Sequence, residues 1–185
     1  MSINLQKKGT INLSKGGLEK LKLDLKWDST KVIDVDASAF VCKTVGDSPK
    51  VLSDNHIVYF GNLKTPNGAV RSLGDERSGG GDGETILVDL SSVESEVTEI
   101  DIFLTIYESK QKKLDFGSLS SGSVSVVNES TGAEVASFSF GTGEYDKESV
   151  IQVINVYRTD NGWETQAIGD GRPGLDLGDI VNQYR

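Results

Sequence analysis

The chain has 185 residues, a formal net charge of −9 and a pI near 4.6, and 36% of its residues are hydrophobic. This length suits one domain with a substantial core, which we expect to span residues 1–185. The acidic balance disfavours nucleic acid as a partner, because phosphate backbones are bound mainly by clustered Lys and Arg side chains.

The sequence lacks the long apolar run of a membrane span, which needs about 18 residues, and its N-terminus lacks a signal-peptide core. A single cysteine, Cys42, can form no intrachain disulfide and fits a reducing compartment. We therefore expect a soluble, cytoplasmic protein.

Short segments typical of β-strands follow one another along the first half of the chain. They cover residues 10–13, 21–25, 33–43, 56–60 and 85–90. Turn residues separate these segments, and the only helical feature expected before the midpoint is a turn around residues 91–97. The pattern indicates a β-rich fold.

The second half continues as a meander of antiparallel strands. Residues 100–107 have the period of two expected of a strand with one face in a core. Two hairpins follow, with turns at 128–132 and at the Asp160-Asn161-Gly162 sequence. A short helix is predicted near 175–184. With about ten strands in all, we predict an all-β fold: an antiparallel β-sandwich of two roughly five-stranded sheets with little helix.

The loop at residues 74–84 holds four acidic side chains and five glycines among eleven residues. Glycines allow the backbone to turn its carbonyl groups inward, and carboxylates are the hard oxygen ligands that Ca²⁺ takes in sets of about 6 to 8. A solvated connection between strands would have the same composition. The loop alone leaves both interpretations open.

Two further acidic positions could contribute to such a site. In a strand, Asp34 and Asp36 would lie side by side on one face, where a divalent cation would offset their repulsion, although a solvated strand face is an equal alternative. Glu108 follows the strand at 100–107, where a carboxylate could reach a site at the rim of the sandwich. A site built from these residues would be assembled from separated segments.

Other metal motifs and catalytic motifs fit poorly. The acidic loop has neither the spacing nor the flanking helices of an EF-hand, and one incomplete copy of a β-roll repeat cannot stack. His56 is the only histidine and is expected to be a paired strand residue, while Cys42 is expected to be a small core residue. We therefore expect a binding protein and no enzyme.

Taken in order, the acidic segments and the sequences between them resemble the TerD family of bacterial tellurium-resistance and stress-response proteins. Residues 34–40 are similar to the family's DLDASAF, and the loop at 74–84 is similar to its GDNRTGEGDGDDE. The other matching segments are residues 11–15, 25–28, 62–70, 104–108, 116–117, 127–128 and 169–171.

The resemblance implies a β-sandwich that binds one or two Ca²⁺ ions in acidic loops at one end. It also implies a non-enzymatic binding or scaffolding role in tellurium resistance or general stress response, with other stress-response proteins or a membrane-associated complex as partners. The residues implied in metal binding are Asp34, Asp36, Asp75, Glu76, Gly79, Gly81, Asp82, Glu84 and Glu108.

The chain departs from the family pattern in ways that bear on the metal. Glu76 replaces the family's Asn, and Asp82 is the nearest substitute for a tandem Asp pair that the family has before Glu84. The loop is two residues shorter, so a single ion or weaker binding is expected. An alternative function is a calcium-dependent carbohydrate- or membrane-surface-binding sandwich, for which Tyr59, Arg71 and Arg77 are the few candidate contacts.

Overall fold

A computed structural model describes residues 2–14, 17–75, 82–141 and 143–185, with backbone only for Asp75 and Asp82. Within these residues the chain forms thirteen strands and two α-helices. The strands are β1 (Ile3–Leu5), β2 (Thr10–Asn12), β3 (Lys20–Ser29), β4 (Val35–Val45), β5 (Ser48–Val51), β6 (Ile57–Val58), β7 (Val70–Asp75), β8 (Asp82–Asp89), β9 (Glu99–Ile106), β10 (Leu119–Asn128), β11 (Glu134–Gly141), β12 (Glu148–Thr159) and β13 (Gly162–Pro173). The helices are α1 (Ser109–Lys112) and α2 (Leu177–Tyr184).

The strands form two sheets, and the predicted all-β sandwich is confirmed. The first sheet has the order β1-β11-β10-β3-β8-β7, and the second has the order β2-β13-β12-β9-β4-β5, with β6 also paired to β4. Strand pairs are antiparallel except β1 with β11. In the described chain the sheets hold six and seven strands instead of about five, because the short strands β1, β5 and β7 were not predicted.

The main core lies between the two sheets, where alternate residues of each strand point inward. Leu23 and Leu25 of β3 in the first sheet belong to the same buried cluster as Ile102 and Leu104 of β9 in the second. On β4, the inward positions include Ala37 and Val41, and these residues are completely or almost completely buried. The opposite face of the second sheet is therefore an outer face, and its residues do not belong to the core between the sheets.

Part of this outer face is covered by α2. Phe40 and Cys42 of β4 and Phe103 of β9 form a second buried cluster with Ile180 and Tyr184 of the helix. The helix begins at a capping box, in which Asp176 accepts a hydrogen bond from the Asp179 amide and Asp179 accepts one from the Asp176 amide. None of the helices among the described residues has the length and apolar character to cross a bilayer.

The sandwich has two distinct ends. At one end, which we call the loop end, β7 and β8 are joined by residues 76–81, β4 begins and β9 finishes; Val35 is paired there with Ile106. At the opposite end, the hairpin end, β12 turns into β13 through Asp160 and Asn161, as the sequence predicts. The predicted acidic segments all belong to the loop end.

Candidate metal centre

Glu84 joins the two sheets at the loop end. It lies on β8 opposite Asp75 of β7, and its side chain is buried. Its Oε2 atom accepts a hydrogen bond of 2.8 Å from the backbone amide of Ala37, which belongs to β4 in the other sheet. A carboxylate on one sheet therefore reaches the residue next to Asp36 on the other.

Asp36 and Asp34 stand at the start of β4. Asp36 is half-buried and has its Cα opposite Thr105 of β9, whereas Asp34 is exposed and precedes the first residue of the strand. The pairing with β9 continues past the strand boundary, because the Tyr107 amide donates a hydrogen bond of 2.8 Å to the Asp34 carbonyl oxygen. Both carboxylates are thus at the loop end, near the end of β9.

Glu108 lies immediately beyond β9 at the start of α1, where its backbone is left-handed (φ 54°). The four residues that follow Glu108 form the short helix α1. One turn along this helix, the Lys112 ammonium is 2.8 Å from a Glu108 carboxylate oxygen. Hydrogen bonding to Glu108 raises the pKa of Lys112 because it favours the charged lysine. A metal ion bound by Glu108 would compete with this ammonium group.

Asp36 and Glu108 line one cleft on the outer face of the second sheet. The cleft has a volume of about 330 Å³, and the N-cap residue of α2, Asp176, lies in its wall. Asp176 was not predicted to belong to the site, although the Asp-x-x-Asp capping pattern before the helix is a sequence signal for it. The Lys110 ammonium is 3.1 Å from Asp176 and 2.5 Å from Asp179, which lowers the pKa of the Asp179 carboxyl.

The predicted metal ligands are only partly described. The side chains of Asp75 and Asp82 and all of Glu76, Gly79 and Gly81 lie outside the described residues, as does Arg77. Among the side chains that are described, no three His, Cys, Asp or Glu groups come together as a metal-holding cluster. The donors that are in place are carboxylates, which fits a hard cation such as Ca²⁺ and not a site made of nitrogen and sulfur ligands.

His56 and Cys42, the two residues considered for catalysis, have structural roles in the fold. His56 is buried in a single 3₁₀ turn before β6, with its Nδ1 atom 2.8 Å from Ser53 Oγ and its Nε2 atom 3.4 Å from Glu94. Cys42 is completely buried, and burial raises the pKa of its thiol far above the usual range. The prediction of a paired histidine and a core cysteine is confirmed, although His56 precedes the strand in which it was expected.

Comparison with known proteins identifies the family. The TerD domain model matches residues 1–184. The chain is 32% identical over 192 residues to the tellurium resistance protein TerD of Serratia marcescens, a match that covers 100% of this chain and 97% of that protein. It is also 30% identical over 203 residues to the stress response protein SCP2 of Bacillus subtilis (strain 168), with 100% of both chains covered.

Among solved structures, the fold is similar to that of a telluride resistance protein (TerD) homologue from Streptomyces coelicolor A3(2). The TM-score is 0.65 with 19% sequence identity, covering 89% of this chain and 96% of the other. This likeness concerns the fold alone. The family match along almost the whole length, with relatives of at least 30% identity, shows that the chain belongs to the TerD family.

Proposed function

We propose that the protein is a non-enzymatic, calcium-binding module of tellurium resistance or general stress response. Calcium would be held at the loop end by Asp34, Asp36 and Glu108 from the second sheet together with Asp75 and Glu84 from the first. The observation that supports this proposal is the hydrogen bond between Glu84 and the Ala37 amide, which brings a carboxylate of the first sheet to the residue that follows Asp36 on the second.

Electrostatic repulsion at the loop end favours the binding of a cation. Several carboxylates at one end of a chain with a net charge of −9 repel one another, and a divalent cation removes that cost. Because ligands would come from both sheets and from their connecting loop, the ion would favour one arrangement of the loop end over others. A partner, such as another stress-response protein or a membrane-associated complex, could then recognise the calcium-bound arrangement.

Calorimetric titration with Ca²⁺ is the direct test. We expect one or two ions per chain, and binding should weaken at least tenfold in Asp36→Asn. Asp160→Asn at the hairpin end removes the same charge far from the site and should leave binding unchanged. Calcium at about 100 times Kd should stabilise the fold by roughly 2.7 kcal/mol, which corresponds to a rise in Tm of about 5–10 °C. No binding below millimolar calcium and no rise in Tm would refute the proposal.

The two tryptophans provide a local readout. Trp27 is buried at the loop end, where its Cα is paired with that of Asp82, and its Nε1 atom has no hydrogen-bond partner among the described residues. Trp163 lies at the hairpin end. Calcium binding should therefore change the fluorescence of the Trp163→Phe variant, which retains Trp27, and leave that of Trp27→Phe nearly constant. The reverse pattern would place the ion elsewhere.

We also propose that the protein has no catalytic role. This proposal is supported by the burial of Cys42, whose thiol is poorly ionised, and by the engagement of His56 with Ser53 and Glu94. In a tellurite survival assay, Cys42→Ser should protect cells as well as the wild-type chain does. Loss of protection with normal expression and Tm would instead indicate thiol chemistry.

A second candidate function, calcium-dependent binding to a membrane surface, is favoured by exposed aromatic residues beside the same cleft. Phe60 and Tyr107 are both exposed, and their ring centroids are 6.0 Å apart. Tyr59 packs against Phe60, whereas the Arg71 guanidinium lies 3.9 Å from a Glu129 carboxylate oxygen. Calcium-dependent sedimentation with anionic vesicles, abolished by Phe60→Ser, would favour this alternative; calcium binding without sedimentation would exclude it.

A further inference from the structure

The part of the second sheet's outer face that α2 leaves uncovered is polar and forms a cleft near the hairpin end. Cα pairing places Glu99 opposite Tyr157, and Asp101 opposite Asn155, which is itself opposite Gln166. The cleft has a volume of about 530 Å³, within the range of small-molecule sites. Its polar floor is built on regular strands, so the side chains have defined positions.

The organising residue of this floor is Asp101, which is 1% exposed. Its Oδ1 atom accepts hydrogen bonds from the side-chain amides of Asn155 at 2.5 Å and Gln152 at 2.8 Å, and its Oδ2 atom accepts one from the Tyr184 hydroxyl at 2.6 Å. Burying a carboxylate costs free energy, and an apolar residue would be sufficient if this position served only for packing. Buried titratable groups in a cleft are characteristic of functional sites.

Glu99 is the carboxylate that the cleft can offer to a ligand. It is half-buried, and its Oε2 atom accepts a hydrogen bond of 3.0 Å from the same Asn155 amide that binds Asp101. Burial and the neighbouring Asp101 raise the pKa of the Glu99 carboxyl. The geometry therefore presents a fixed acceptor next to a buried carboxyl group.

The two arginines in the cleft wall donate their hydrogen bonds to groups other than Glu99 and Asp101. Arg158 donates to the backbone carbonyl oxygens of Val97 and Glu94, and its guanidinium stacks on Trp163 with 4.4 Å to the ring centroid. Arg172 donates to the side-chain oxygens of Gln183 and Gln152. Among the described residues, no Lys or Arg forms an ion pair with Glu99 or Asp101.

We propose that this cleft binds a small organic cation that carries a primary amine or guanidine group, with Glu99 as its ion-pair partner. The ligand's nitrogen donates to Glu99, while Asp101 keeps its own hydrogen bonds and fixes the Asn155 amide that Glu99 shares. The Tyr157 ring and the aliphatic side chain of Ile168, both in the lining, offer surface for the carbon chain of such a molecule. The volume of about 530 Å³ favours a free small molecule as the ligand.

Agmatine, which has both an amine and a guanidine group, is the probe for a calorimetric titration with chelator present. We expect one site on the wild-type chain and at least tenfold weaker binding to Glu99→Gln, whose side chain keeps the acceptor for Asn155 but loses the charge. Glu144→Gln removes the same charge from an exposed loop at the other end and should bind as the wild type does. Protein NMR should show shifts in the side-chain amides of Asn155 and Gln152.

Three outcomes would overturn the proposal: no binding at millimolar agmatine, equal binding to the Glu99→Gln and wild-type chains, or equal binding of an uncharged sugar of similar size. The cleft is distinct from the loop end, so the result is independent of calcium binding. Agmatine should change the fluorescence of Trp27→Phe, which retains Trp163 beside Arg158, whereas calcium should change that of Trp163→Phe. Either binding site can therefore be refuted independently of the other.

Discussion

Removing one oxygen atom from the last aromatic residue of the helix α2 should destabilise the whole protein. In Tyr184→Phe the ring still packs on Phe40 and Phe103, at centroid distances of 4.9 and 5.7 Å. What is lost is the 2.6 Å hydrogen bond to Asp101, a bond to a buried carboxyl group. Bonds of this kind contribute about 1.5–3 kcal/mol, so we expect Tm to fall by roughly 3–12 °C at neutral pH.

The measurement is thermal or urea unfolding at pH 7, with Tyr157→Phe as the matched control. Tyr157 also donates to a carboxylate, Glu164, at 2.9 Å, but this bond is only partly buried and should contribute well under 1 kcal/mol to the free energy of unfolding. A fall in Tm for Tyr184→Phe no larger than that of the control would refute the reasoning. It would mean that Asp101 finds another donor when the helix end relaxes.

Three further predictions concern other buried groups. Without calcium, Glu84→Ala should lower the free energy of unfolding by about 1–3 kcal/mol because the Ala37 amide loses its acceptor, whereas Glu84→Gln keeps an acceptor and should lose less; similar losses in urea unfolding would contradict this. Cys42 should react with a thiol reagent at pH 8 only after unfolding, and rapid labelling of the native chain would show that it is accessible. The pKa of Glu99 is raised in the folded state from an ordinary value of 4.5, so its contribution to stability is complete below that pH and is lost as the pH rises through the folded pKa. The free energy of unfolding of Glu99→Gln should therefore improve relative to wild type between pH 4 and 7; an unchanged difference would contradict the assigned shift.

The sequence predicted those strands that carry their own hydrophobic pattern. Both predicted hairpins and the central strand at 100–107 were found because alternation and turn residues are local signals. The strands β1, β5 and β7 were missed because they are short and lie at or near sheet edges, where few side chains enter the core. For β1 the partner is also far along the chain, since Ile3 pairs with Ala136, and the sequence of this short strand alone does not predict that pairing.

The sequence predicted which segments contribute to the candidate metal centre but not how their side chains are arranged. Acidic composition pointed to Asp36 and Glu84, but only the folded chain reveals that Glu84 bonds the amide beside Asp36 from the other sheet. Asp101 was passed over entirely, since the sequence presents it as one polar position in an alternating strand. Its burial follows from α2, whose Tyr184 lies 83 residues away in sequence.

The helix α2 contributes to both clefts, and this decides which variants can assign a function. Its N-cap residue Asp176 lies in the wall of the loop-end cleft, while Tyr184 lines the polar cleft, so a substitution that loosens the helix disturbs both places together. A loss of calcium or amine binding in Tyr184→Phe would therefore identify neither site. Asp36 and Glu99 lie on separate strands of the sheet beneath the helix, and charge removal there leaves the helix contacts in place. Only variants at such strand positions distinguish a calcium site at one end from a cation site at the other.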